Sequence, residues 1–493
     1  MKTYSKFWFL TGLCQFVVLG CATSKLRPTV ASARPMESLP ASGVANSGEP
    51  KSAIQLAAYK PMIDDENSSE SIVTVVPSQA SPPEVTPSQT AMTVDDLVAL
   101  ALSNNPSIKE LAATTQKANG YKTQVGLRPN PVMGYQAAQL ADRGTDQHVI
   151  FAEQEFVTAN KLGLNRRVLN ESLRTQLHEL EAQKLRVATD IKIAFYQTLA
   201  LQRQQDLIEE FLGVTERGFE LTQKRQQAAE VSKVDVLQAQ VQKNEMQLAL
   251  RQNQAKLQAA WRRMAALCGI MDLPPVKLAG EFSNRPNTLD WEALQIQLIQ
   301  SSPEYAAAQA NVSRARAEYD RHNVQAVPNI TALLGPGYDN GTNSGMLNLQ
   351  IGAPIPVFNQ NQGNISAARA EYCRAVQEAQ RVENSIRSRL AEVSGEYEVA
   401  SEAVNQYQNL IIPATRESLA LAERAYKVGE LGFIQTLVAR RSYFDANLQL
   451  VASHAQLASA QSQIDGILLT GALNPVSDRS GNDSLRGLTI GQR

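Results

Sequence analysis

The sequence is short of the residues that build the core of most proteins of 493 residues: aromatics make up 6 %, and there are four Cys and four His. Four Cys spread along so long a chain cannot staple a disulfide scaffold, and His148, His178, His322 and His454 stand too far apart for a local metal-ligand motif. No cofactor and no resident metal are expected. An excess of one charge is missing too: Lys+Arg 47 against Asp+Glu 48 leaves -1, which is not the basic footprint of a nucleic-acid binder. Catalytic signatures are absent, with no HExxH, no P-loop and no GxSxG, and Gly335-Pro336-Gly337-Tyr338 reads as a turn at a strand end rather than a phosphate loop. A non-enzyme is expected. Adjacent carboxylates such as Asp95-Asp96 and Glu209-Glu210 read as solvated helix faces, and Cys268 and Cys373 as buried small apolar residues. What is abundant is Ala, Gln and Leu. Long helices use such a composition well, because their contact positions need only small and aliphatic side chains.

The N-terminus carries localisation evidence. Lys2 and Lys6 precede the mostly apolar run Phe7 to Gly20, which is shorter than the ~20 residues of a membrane-spanning helix. Residues 1–20 therefore read as a signal peptide. The run ends in Val18-Leu19-Gly20-Cys21, which resembles the bacterial lipobox, so Cys21 is the expected lipidation site. Ala22 after it, in place of Asp, resembles outer-membrane sorting, and several acyl chains on one Cys suffice for stable anchoring. Residues 21–91 then form a Pro- and Ser-rich linker with no sustained apolar period.

The rest is a duplication. Leu97, Pro106 and Pro131 recur as Leu294, Pro303 and Pro328; further on Gly163, Glu171, Arg174, Glu230, Leu237 and Leu257 recur as Gly363, Glu371, Arg374, Glu430, Leu437 and Leu457. This sets one repeat at 92–270, a linker at 271–286, a second repeat at 287–472 and a flexible tail at 473–493. Each copy predicts a short helix ending before a proline, a second helix to about Gly126 or Gln325, two strands, and a helical run almost free of Gly and Pro. The strands fall at about Val132 to Leu140, His148 to Phe156, Ile330 to Gly337 and Leu347 to Ala353, and the last alternates most cleanly. A tip at Ala228 to Ser232, or Lys427 to Gly432, returns the chain into another helix. The inward positions of that helix are predicted to be Val234, Leu237, Val241, Leu248 and Ala255 in the first copy. In the second they are Ile434, Leu437, Phe444, Leu448, Val451 and Ala455. The helix before the strands and the returning helix together match the long helix in length, so they are expected to stack end to end beside it.

Four amphipathic strands cannot close a barrel alone, and an open sheet edge in a bilayer is prohibitive. Three chains would supply twelve strands. The fold class expected is mainly α with a membrane β-barrel segment: duplicated antiparallel helical hairpins plus four strands per chain, a homotrimer closing a twelve-strand barrel above a helical tunnel.

With these elements in order, residues 92–471 resemble the TolC family of outer-membrane efflux channels. The resemblance is carried by Leu102-Ser103-Asn104-Asn105-Pro106, Leu127-Arg128-Pro129-Asn130-Pro131, the run Gly352 to Gly363, and Gly429-Glu430-Leu431 through Leu437-Val438-Ala439-Arg440-Arg441. The segment Gln154-Glu155-Phe156 to Arg166 looks most similar to outer-membrane subunits of cobalt-zinc-cadmium type cation efflux systems. The resemblance implies a homotrimer in outer-membrane lipid, working with a periplasmic adaptor protein and an inner-membrane pump. It places the periplasmic aperture near Tyr426, Lys427, Gly429 and Glu430 in one tip and Glu230, Lys233 and Asp235 in the other. The expectation is that these residues form threefold rings of charge and hydrogen bonds that hold a gate closed and favour cations. Where the second tip has Gly429 the first has Ala229, so the two tips are expected to turn differently. A conduit for type I protein secretion and a structural periplasmic coiled-coil lipoprotein are the alternative functions.

Overall fold

The computed structural model describes residues 91–141, 144–282 and 289–485. The signal peptide, Cys21 and nearly all of the 21–91 linker lie outside them. In chain order the first repeat contains α1 (Val94–Asn104), α2 (Pro106–Val125), β1 (Val132–Ala138), β2 (Gln147–Phe156), α3 (Lys161–Gln227) and α4 (Lys233–Cys268). The second contains α5 (Trp291–Ser301), α6 (Pro303–Asn323), β3 (Ile330–Asp339), β4 (Ser344–Gly352), α7 (Gln362–Gln406), a wide π turn at Tyr407–Ile411, α8 (Ile412–Lys427) and α9 (Phe433–Asp465).

Local chemistry sets the boundaries. Thr93 and Asp96 form a capping box at the start of α1, the Asp96 N–H donating to Thr93 Oγ1 at 3.3 Å and the Thr93 N–H to the carboxylate at 3.0 Å. Asp96 is thus a cap, and the Thr93 N–H holds its carboxyl below the usual range. Pro106 ends α1 and begins α2, with Asn105 between them serving both: its side chain caps α2 through the Ser107 N–H at 2.9 Å and donates to Leu267 O, near the end of α4, at 2.7 Å. α2 and α4 therefore meet at this buried asparagine beside α3, as the lengths required. In the second copy Ser302 and Pro303 take the same places.

At 1.5 Å per residue, the 67 residues of α3 span roughly 100 Å. Its counterpart in the second repeat is interrupted by the π turn just before Pro413, which has Gly213 at the matching place. Proline lacks the N–H for the carbonyl one turn back and its ring crowds that carbonyl; a widened turn accommodates both. Small residues line the helix contacts, among them Ala101, Ala194, Ala308, Ala317 and Ala400. Larger side chains gather in two clusters, Leu97, Ile191, Phe195, Trp261 and Met264 in one and Ile386, Leu390, Tyr397, Leu457 and Ile464 in the other. The two repeats join through α3, which packs on α6 and α9. The completely buried Arg321 of α6 donates to Asn165 Oδ1 of α3 at 2.6 Å and to Gln325 Oε1 at 2.8 Å, and burial pushes its guanidinium down to about 10.

Four expectations change. Residues 473–485 do not form a free tail but a strap along α3. Leading into it, the Gly471 and Ala472 N–H groups donate to Asp190 at 3.0 and 2.7 Å; beyond, the Arg479 N–H donates to Gln176 at 3.0 Å, Asp478 pairs with Lys117 at 2.6 Å, and Leu485 is buried. The segment is polar because it answers polar groups set into a helix face, which composition alone reads as solvation. Cys373 is exposed, since it lies on the opposite side of α7 from Ala368 and Ala375; Cys268 is buried, and burial pushes its thiol up to about 11. In α4 the residues packed inward are Ala239, Asn253, Trp261 and Met264, while Val234, Leu237, Val241 and Leu248 are at least half exposed and Ala255 is exposed. Among the described residues this apolar stripe is left uncovered. In α9, by contrast, Phe444 and Ala455 are buried, with Phe444 stacked on Phe211, while Ile434 is exposed.

The fourth change concerns the tips, which turn alike. Glu230 N–H donates to Arg225 O and Glu430 N–H to Ala425 O, both at 2.9 Å, around left-handed residues Ala229 (φ 56°) and Gly429 (φ 78°). The packing of the tip holds Ala229 in a conformation that costs an L-residue about 1–2 kcal/mol. Ala229→Gly is expected to stabilise the first tip by about 0.5–1 kcal/mol after the added freedom of the unfolded chain, and Gly429→Ala to destabilise the second by a similar amount. Hydrogen exchange of the two tips measures both; equal protection in all variants would contradict the left-handed turn at Ala229.

Candidate functional site at the hairpin tips and the sheet

The tips bring part of the expected constellation together. Arg225, in the last turn of α3, donates from Nη1 to the Tyr426 hydroxyl of the other repeat at 2.9 Å and lies 5.4 Å from the centroid of that ring. Its Nε is 3.8 Å from the Glu230 carboxylate. One guanidinium therefore joins both tips by a hydrogen bond, a cation–π contact and a loose ion pair. These side chains border a cavity of about 790 Å³ with Asp235, Phe433 and Gln435. The Asp235 carboxylate accepts the Ser232 N–H at 3.0 Å and hydroxyl at 2.8 Å in a capping box that starts α4. Gly432, at the matching place, has no side chain to cap α9. Lys233, Lys427 and Glu430 are exposed, and among the described residues none of them makes an ion pair. Sequence reasoning missed Arg225, whose counterpart in the second copy is Ala425. The available signal was a basic residue in the last turn of α3, facing an aromatic of the partner tip.

Above the tips, α4 and α9 border an apolar groove of about 350 Å³ lined by Val234, Leu237, Val241, Ile434, Leu437 and Val438, and Arg441 of α9 pairs with Glu245 of α4 at 3.2 Å across the repeats.

The sheet sits at the other end of α3, in the order β1-β2-β3-β4, all antiparallel, so β1 and β4 are its edges. Its register sorts side chains onto two faces. On one, Tyr135 lies opposite Ile150, Met133 and Leu334 flank Ala152, and Ala332 and Leu334 face Ile351 and Leu349. That face is apolar except for His148 and Gln154, and it is open, with Met133 76 %, Leu347 69 % and Ile351 68 % exposed. The other face carries Gln136, Glu153, Glu155, Thr331, Asn348 and Gln350 together with Gly134, Gly335 and Gly337. Val149 and Phe151 cover these glycines: a methyl group on Gly134 would come within 2.4 Å of Phe151, and one on Gly335 within 2.5 Å of Val149. These two bulky residues, tucked over glycines, blur the sequence alternation of β2.

At the far end of the sheet Tyr135 bonds to His148, which bonds to Asp146 at 2.7 Å, which accepts from Asn340 at 2.7 Å, tying the two turns together. At the helical end, buried Lys161 donates to Val327 O at 2.5 Å and Asn329 Oδ1 at 2.8 Å, fixing β2 and β3 where the helices begin. Among the described residues no helix is long and apolar enough to cross a membrane, and no cluster of three or more His, Cys, Asp or Glu suits a metal ion.

Comparison with known proteins accounts for this arrangement. The chain is 25 % identical over 404 residues to the cobalt-zinc-cadmium resistance protein CzcC of Cupriavidus metallidurans, covering 81 % of this chain and 93 % of that one. It is 24 % identical to the pyoverdine export outer membrane protein OpmQ of Pseudomonas putida, covering 75 % and 84 %. Its fold matches crystal structures of CusC (TM-score 0.65, 16 % identity, 77 % of this chain and 92 % of that one) and of the outer membrane protein VceC of Vibrio cholerae (0.63, 19 %, 77 % and 96 %). The sequence pattern of outer membrane efflux proteins matches residues 97–270 and again residues 294–468, the same two copies that the internal duplication delimits. With most of its length so matched, the chain belongs to the outer membrane efflux protein family.

Proposed function

We propose that this chain is the outer-membrane channel of a tripartite efflux system, and that three copies join into one conduit for divalent transition-metal cations. The observation that carries the reading is the sheet: four antiparallel strands with two unpaired edges and one exposed, almost wholly apolar face. In lipid such edges must be paired, and edge-to-edge joining of β4 of one copy to β1 of the next closes a ring. The apolar face then meets lipid, and the face bearing Gln136, Glu153, Glu155 and Gln350 lines a wet pore. α3, α7 and α8 with their return helices continue the wall as a tunnel.

A periplasmic adaptor and an inner-membrane pump complete the path. The exposed stripe Val234, Leu237, Val241 beside Ile434 and Val438 has the spacing at which an amphipathic helix docks, and it lies next to the tips where an adaptor must arrive. The metal class rests on the likeness to the cobalt-zinc-cadmium resistance protein of Cupriavidus metallidurans. A structural coiled-coil lipoprotein would have no use for a sheet with a bare apolar face; a type I secretion conduit would share this architecture and differ in its partners.

The tips form the gate. Arg225 holds Tyr426 and Glu230 together within each chain, while Glu430, Lys427 and Lys233 project into solution as candidate threefold rings, with Gly429 supplying the turn that presents them. The charge-assisted hydrogen bond and the cation–π contact each contribute roughly 1 kcal/mol to the closed arrangement. Arg225→Ala is therefore expected to raise single-channel conductance or open probability in planar bilayers by about tenfold. Adding Glu430→Ala should lower cation preference. Unchanged conductance in the Arg225 variant would count against this gate. Lipidation at Cys21 is tested separately: Cys21→Ser should lose labelled palmitate and weaken outer-membrane retention, and an unlabelled wild type would rule the anchor out.

A further inference from the structure

Beneath the C-terminal strap, between α3, α6 and α7, lies a crevice of about 350 Å³ that neither the tips nor the sheet uses. Four arginines line it, Arg186, Arg381, Arg389 and Arg479, against three glutamates, Glu179, Glu304 and Glu378. The glutamates are largely spoken for. Glu304 accepts from Arg389 Nη2 at 2.6 Å, and Glu378 accepts from Arg479 at 3.0 Å and from Arg374 at 3.2 Å. Glu179 lies 3.6 Å from Arg479, and burial pushes its carboxyl up, toward the uncharged form. The arginines keep donors to spare. Among the described residues, Arg186 hydrogen-bonds only the side-chain oxygen of Gln183, at 3.4 Å, Arg381 has no hydrogen bond or ion pair, and Arg389 Nε is buried without a partner.

We propose that this crevice binds a small oxyanion, a phosphate or carboxylate group, on Arg186 and Arg381. The planar guanidinium forks suit two-point contact with an oxyanion, Arg186 being half-buried and Arg381 exposed. The strap from Thr470 to Arg479 forms one wall, so a bound anion cross-links the strap to α3 and α7. The site belongs to one chain, joins its two repeats, and is independent of the gate.

The test uses the full-length assembly purified in detergent. Sodium phosphate and sodium succinate are titrated separately against chloride at constant ionic strength, with calorimetry and thermal unfolding as readouts. Saturable binding of one anion per chain with a rise in Tm is expected, weakened about tenfold by Arg381→Gln. It should be unchanged by Arg387→Gln, whose guanidinium is already paired with Glu383 on the same helix. Saturation by phosphate alone assigns a phosphate ligand, and by succinate alone a carboxylate. If Arg381→Gln fails to assemble, Arg186→Gln replaces it. No saturable binding of either anion, or equal affinity in the arginine variant, overturns the proposal.

Discussion

A β-sheet in lipid has no water to satisfy the backbone groups along its outer strands, and that constraint governs the rest of this molecule. Among the described residues the outer sides of β1 and β4 have no strand partner, so in a bilayer their N–H and C=O groups would need a second copy. A ring of copies removes every edge at once. In the proposed ring the helices leaving the sheet would share its symmetry and stand as staves around a common axis. The exposed apolar stripe on α4 fits the same proposal, since a chain forming one part of a wall would leave contact surface for neighbours.

Within the chain, duplication gives two near-copies whose differences do specific things. Pro413 introduces a π turn where Gly213 leaves α3 continuous, Ser232 caps a helix that Gly432 cannot, and Arg225 faces Tyr426 where the second copy has only Ala425. The tip-to-tip bond is therefore asymmetric inside one chain even though both tips share one backbone turn. In the proposed ring such pairs would alternate two kinds of tip, which suits the proposed gate in which one kind holds and the other presents charge.

Much of this was legible beforehand, for identifiable reasons. Repeat boundaries, helix starts and strand positions were readable because Pro106, Pro303 and the Gly-free runs act locally, and local chemistry decides them. The contacts at the tips were not legible in the sequence. Asp235 is taken up by a cap, and Arg225 acquires meaning only once the second repeat is laid beside the first. The inward face of α4 was misread because the heptad pattern marks where apolar residues fall, not which helix covers them. The strap was missed because its partners, Gln176, Gln183 and Asp190, are polar residues on the face of α3, a choice that hydrophobic periodicity cannot detect.

Closing the sheet depends on the number of copies, since four strands per chain must sum to a ring wide enough to hold a pore and small enough to seat the helices. Native mass spectrometry of the assembly released from detergent counts chains directly. The account requires three copies per particle and no stable smaller species under conditions that preserve folding. A folded monomer or dimer as the principal species, or a ring of four or more, would contradict it.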